Sequence, residues 1–140
     1  MEIIVNLNTW ISERLISLKC SDETKAYVIS VYSQFKNINY DNDFSKNSIV
    51  ISYYDALKSG NFELYQRLGD WSLYTMTMHP EHIAHNKETV RMVGKNSYDA
   101  CFKLLNKEWE LFEELSNDID SIAYRARKLL VVQNDNKFIT

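Results

Sequence analysis

Apolar residues recur at three- and four-residue spacing along most of this chain, which is the period of a helix face and not of a strand. Leu7, Trp10, Ile11, Leu15 and Leu18 open the pattern, with Glu13, Arg14 and Ser17 between them, and predict a first helix over about Leu7 to Lys19. Ser21 follows as an N-cap, since a hydroxyl there accepts from the free N–H groups of the next turn. Asp22 and Glu23 then sit where the helix dipole favours acid. The second helix runs to about Asn37, with Val28, Val31, Tyr32, Phe35 and Ile38 as its inner stripe. Residues 39–48, NYDNDFSKNS, are polar and read as a loop. A third helix covers about Ile49 to Lys58 and is stopped by Ser59-Gly60-Asn61, because glycine just past a helix end adopts the left-handed conformation freely. The fourth, about Phe62 to His79, is apolar nearly all round, with Glu63, Gln66, Arg67, Asp70 and Thr77 gathered in one strip. Such a helix belongs at the centre of a core.

Pro80 closes the fourth helix and can open the next, where its missing N–H costs nothing. Asn86 is placed to cap a helix starting near Lys87. From Tyr98 the pattern becomes a heptad seam: Cys101, Leu105, Glu108, Phe112, Leu115, Ile119, Ile122, Ala126 and Leu129 alternate steps of three and four. Ser116-Asn117-Asp118 looks like a break, yet the phase is kept across it, so one long helix or a pair with a tight joint both fit. A long helix, kinked or straight and antiparallel to its neighbours, is the expectation. Leu104, Trp109 and Leu111 lie off the seam and need covering by something else. The tail from about Gln133 is polar and is expected to fray. A short strand over Glu2 to Val5 is compatible with the rest. The pattern therefore predicts an all-α fold: one domain over residues 1–140, an irregular bundle of about six helical segments ending in a long helix or helix pair.

Composition supports this and excludes several function classes. With 3 glycines and 1 proline in 140 residues, the chain lacks the turn residues that a sandwich or barrel consumes. Gly60, Gly69 and Gly94 are isolated, so no phosphate-cradling loop and no dinucleotide fingerprint is present. A net charge of −3 and the absence of a long Lys/Arg stripe disfavour nucleic-acid binding. Arg125, Arg127 and Lys128 are accounted for by a helix C-terminus. No apolar run approaches the ~20 residues of a membrane span. MEIIVNLNTW opens with an acid and lacks the flanks of a signal peptide, so a cytoplasmic protein is expected. Cys20 and Cys101 have no metal spacing and read as reduced, buried, inert thiols, although sequence alone leaves a disulfide between them open. Usage leaning to Asn, Ile, Lys and Tyr fits AT-rich coding DNA, as in some bacteria and phage.

Candidate chemistry is sparse. All three histidines lie in His79-Pro80-Glu81-His82-Ile83-Ala84-His85. On an α-helix His82 pairs with His85, and His85 with Glu88, which makes these the candidate metal ligands. Three histidines at successive three-residue steps rotate around an α-helix and do not all converge, and neither HExxH nor Glu-x-x-His occurs. A polar helix entrance with no metal and no cofactor is the expectation. Asp70, with Glu63 and Arg67, is the next candidate, read as ordinary surface pairing at three- and four-residue spacing. It differs from its neighbours in following Gly69, where another backbone can approach closely. Glu108 interrupts the seam and is expected at the bundle's edge or paired with a base. Asp41 and Asp43 do not make a calcium loop, because Lys46 and Ser52 stand where an EF-hand requires glycine and glutamate. No nucleophile elbow is present.

Leu68 to His82, LGDWSLYTMTMHPEH, and Gly94 to Ala100, GKNSYDA, together resemble a family of uncharacterised helical proteins of bacteria and phage. In that family a Gly-Asp pair opens an apolar helix ending in Pro-Glu, and a Gly and a Ser/Ala-Tyr pair follow on the next. The resemblance covers roughly the C-terminal half, with Trp71, Thr75 and Thr77 standing where aliphatic residues are usual. It implies that Gly69, Asp70, Pro80, Glu81, Gly94 and Tyr98 form one structural unit, and that Gly94 and Ser97 let two helices pack closely. It carries no assigned activity. The function expected is a small non-enzymatic protein that binds another protein, as an accessory, regulatory or inhibitor- and immunity-like factor. The competing expectation is a metal-using or acid–base enzyme centred on Asp70, Glu81 and His82.

Overall fold

A computed structural model describes residues 9–36 and 48–131. All of their regular structure is helical. Helix α1 covers residues 9–14 and tightens into a 3-10 turn at Leu15–Ser17. It is followed by α2 (Asp22–Lys36), α3 (Ser48–Ser59), α4 (Phe62–Met78), a 3-10 turn (Pro80–Ile83), α5 (Lys87–Leu104) and α6 (Glu110–Leu130). This is the expected all-α irregular bundle with a long C-terminal helix. The possible strand at Glu2–Val5, residues 39–47 of the loop expected over 39–48, and the tail from Gln133 lie outside the described residues; Ser48, the last residue of that expected loop, is the first of α3.

Helix ends follow local chemistry. Ser21 Oγ accepts from the Thr24 amide at 3.2 Å, and Asn61 Oδ1 accepts from the Leu64 amide at 3.0 Å, each capping the helix behind it. Gly60 ends α3 at φ 64°. Asn86 stands at the start of α5 as expected, but its side chain makes no capping bond.

The seam is interrupted where the pattern predicted continuity. Helix α5 stops at Leu104, because Asn106 and Lys107 adopt left-handed backbone at φ 58° and 60°. The Lys107 amide donates to the Phe102 carbonyl at 2.9 Å and the Asn106 amide to that of Lys103 at 3.1 Å. Those two bonds make a Schellman stop with asparagine in glycine's usual place. Leu105 and Glu108 fall in the turn, and Glu108 is exposed. The anticipated break at Ser116–Asp118 is a kink inside α6: Asp118 has φ −117° and ψ 21°. Beside it, the Lys95 ammonium donates to the Ser116 carbonyl at 3.2 Å, and Ser116 Oγ returns a bond to the Lys95 carbonyl at 2.9 Å. A side-chain donor entering the ladder is a recognised cause of a kink.

Helix α4 is the hub, packing along α5 and also against α6, α3 and α2. Small residues allow the closest approach. A Cβ on Gly94 would lie 2.7 Å from the Ser72 Cβ and 2.8 Å from Ile119 Cδ1. Phe112, Leu115, Ile119, Ile122 and Ala126 of the seam are buried. Asp70 and Thr77, expected on a polar strip, are enclosed in the core, while Glu63 and Arg67 of that strip are exposed. Thr77 is satisfied in the core, donating to the Leu73 carbonyl at 2.8 Å and sharing a 2.6 Å hydrogen bond with the Tyr32 phenol. Among the described residues, no helix is long and apolar enough to cross a membrane.

Candidate functional site

Four features bear on function. The first is Asp70, whose Oδ1 accepts from the Tyr98 phenol at 2.7 Å and the Tyr27 phenol at 2.8 Å. Gln66 donates in turn to the Tyr27 oxygen at 2.9 Å. The neighbouring Gly69 makes this possible: a Cβ there would lie 2.7 Å from the Tyr98 ring. What approaches closely at Gly69 is therefore an aromatic side chain and not the backbone expected there. Burial pushes the Asp70 carboxyl up to about 7, against the two phenol donors, which pull it down. Burial and the adjacent carboxylate drive both phenols above their ordinary value. A buried tyrosine requires a partner for its hydroxyl, and Tyr27 was not foreseen as a partner of Asp70. Phe112 packs on both rings, at 5.5 Å from Tyr27 and 6.1 Å from Tyr98. The whole group is a polar knot within the core.

The second feature is the histidine segment. It folds as a 3-10 turn and not as an α-helix, with Pro80 at its start. Three residues per turn eclipse positions i and i+3. His79 and His82 accordingly stack, with ring centroids 4.9 Å apart and planes 11° from parallel. Glu81 Oε2 lies 3.7 Å from His79 Nδ1 and 3.7 Å from His82 Nε2. One donor atom from each of the three falls within 4.8 Å of the others. His85 is not in this group, and Glu88 pairs instead with Arg91 at 2.6 Å. The α-helical period assumed for the sequence paired His82 with His85 and overlooked His79. Proline directly after His79 was the available signal. About 12 Å of helix rise separates Asp70 from Met78, the last residue of α4. Asp70 therefore lies in the core, and Glu81 and His82 are at the surface beyond that helix end.

The third feature is a cleft of about 870 Å³ bounded by Met76, Pro80, Ile83, Arg91, Ala123 and Arg127 among others. Its arginines are engaged within the fold. Arg91 meets Glu88 and lies 3.6 Å from Asp120, and Arg127 donates to the Thr77 carbonyl at 2.9 Å.

The fourth is the outer face of α3. Ile49 and Ala56 are buried, yet Val50, Ile51, Tyr54 and Leu57 stay 36–63% exposed. At 100° per residue these four fall on one arc beside the core face, so α3 is apolar well beyond what its own core contact needs. A groove of about 270 Å³ runs between this face and α5, lined by Val50, Tyr53, Tyr54, Met92 and Val93, with Glu88, Thr89 and Asn96.

Both thiols are free. Burial raises the Cys101 thiol to about 12, with Asp70 adding to the effect. Cys20, only partly buried, is raised chiefly by burial as well. Neither environment favours the thiolate a nucleophile needs.

Comparison of the chain with protein-family models, curated proteins and solved structures finds no significant match in any of the three.

Proposed function

We propose that this protein is a non-enzymatic helical module of the cytoplasm that binds another protein through the outer face of α3. The observation that carries the reading is that face itself: Val50, Ile51, Tyr54 and Leu57 in a row on one helix, continuous with Met92 across the groove. Leaving several large apolar side chains about one-third to two-thirds exposed forgoes part of the roughly 1.5–3 kcal/mol that full burial of each contributes, and a partner recovers it. A groove between two helices suits an amphipathic helix that inserts apolar side chains at three- and four-residue spacing. Methionine at its edge adapts to the shape of what enters. In support, Asp70 is tied to two core phenols and the arginines of the large cleft are engaged within the fold.

The test compares the immobilised parent with an Ile51→Asp, Tyr54→Asp double variant, both first shown to be equally helical. One host protein should be retained by the parent and lost by the variant, and should form a complex of fixed stoichiometry when mixed pure with the parent. The reading fails if nothing distinguishes the two baits. It also fails if light scattering shows a parent dimer that the double variant dissolves, since the face would then bind a second copy of this chain.

A further inference from the structure

We infer that His79, Glu81 and His82 form a binding site for one divalent first-row transition-metal ion of the zinc, nickel or copper type. The site goes beyond the protein-binding face and does not depend on it.

Two imidazole nitrogens and one carboxylate oxygen already lie within 4.8 Å of one another. With bonds of ~2.0–2.1 Å around a tetrahedral ion, donor atoms sit about 3.3–3.4 Å apart. The two nitrogen–oxygen separations, each 3.7 Å, are within a few tenths of an ångström of that. The remaining closure is between the two imidazoles. His82 and Glu81 are half or more exposed, whereas His79 is only one-fifth exposed. The His79 ring also rests against Tyr74 at a centroid distance of 5.7 Å. One ligand is thus held and two adjust to it.

The backbone brings the three together. Proline fixes φ at the first position of the turn, and the His82 amide donates to the His79 carbonyl at 3.0 Å, closing a three-residue step that brings residue 82 over residue 79. A four-residue segment therefore presents three donors without a second strand or helix. Imidazole with a single carboxylate selects zinc, nickel or copper over calcium and magnesium, which require more oxygen ligands. Three protein donors leave one position to water, the arrangement of an open site and not of a closed structural one.

The experiment titrates metal-free protein with zinc chloride and, separately, nickel chloride by calorimetry. Histidine side-chain NMR signals and thermal melts are followed in parallel. One ion per chain is expected, with a rise in melting temperature on loading. His82→Ala and Glu81→Gln, both at exposed positions, should each weaken binding at least tenfold while leaving helicity unchanged. His79→Ala should do the same, but it alters a helix end, so the other two decide the result. His85→Ala should bind as the parent does, and millimolar magnesium should not compete. The inference is overturned if no saturable binding at one ion per chain is seen. It is equally overturned if His82→Ala binds like the parent, or if His85→Ala loses as much as His82→Ala.

Discussion

Asp70 shows how much of a residue's role depends on what reaches it. In the folded chain burial lifts its carboxyl from an ordinary 3.8 to about 7, so between those values the folded state holds a proton that the unfolded state has released. Stability should therefore fall as pH rises through that window and level off above it. Asp70→Asn keeps an oxygen for the two phenols and removes the charge, so its melting temperature should drop less than the parent's between pH 5 and pH 8. Equal drops would mean that the carboxyl titrates as it does in water. Gly69→Ala tests the same knot sterically. Its methyl would meet the Tyr98 ring at 2.7 Å, and overpacking of this kind costs typically ~1–3 kcal/mol by chemical denaturation. Beside it, Phe112→Ala should cost roughly 3–5 kcal/mol as a large-to-small change in a filled core. Lys107→Ala, at an exposed turn position, should stay within about 0.5 kcal/mol. The burial of Phe112 was legible from its place on the seam. The knot was not, because Tyr27 and Asp70 are joined across 43 positions and no local spacing encodes that pairing.

At the scale of elements, the sequence was readable wherever a boundary is set by its own residues. Ser21, Asn61 and Gly60 punctuate the chain through bonds and dihedrals to near neighbours. The stop after α5 has an equally local cause, asparagine in the left-handed region, but asparagine is a weaker signal than glycine and the apolar phase ran on across it. The histidine turn misled for a different reason: a 3-10 period was read as an α period. The start of α2 combines both situations. Ser21 caps it locally, and Glu114 of α6 reinforces it from afar, accepting from Thr24 Oγ1 at 2.6 Å and Ser21 Oγ at 2.8 Å. Burial draws the Glu114 carboxyl upward, and the hydrogen bonds from Thr24 and Ser21 outweigh it and hold the group below its ordinary 4.5. Its contribution is therefore present at neutral pH and disappears as pH falls through the folded value. Glu114→Gln keeps an oxygen for these donors and removes the charge at a partly exposed position, so it should cost about 1 kcal/mol at pH 7. Parent and variant should converge once pH has fallen below the folded value. A loss of the same size at every pH would assign the effect to packing.

For the whole molecule, the bundle could be anticipated because helical period, scarce glycine and a single proline all pointed one way, a consistency that specifies a fold. The exposed apolar face of α3 was less legible, since Val50, Ile51, Tyr54 and Leu57 in a sequence look the same as core. Only the burial of Ile49 and Ala56, on a helix that packs against α4 and α5, shows which apolar arc of α3 is in use. The bond from Ser21 to Glu114 spans 93 positions and has a consequence in time. During synthesis α2 is made long before the carboxylate that completes its start, and Tyr27 before both Asp70 and Phe112. Helices α4, α5 and α6, consecutive and mutually packed, close only short loops and have the smaller entropy to overcome. The first helices of the chain are thus expected to be the last to settle. Pulse-labelled hydrogen exchange during refolding should find the α2 amides protected no earlier than those of α6, and earlier protection of α2 would reverse the order.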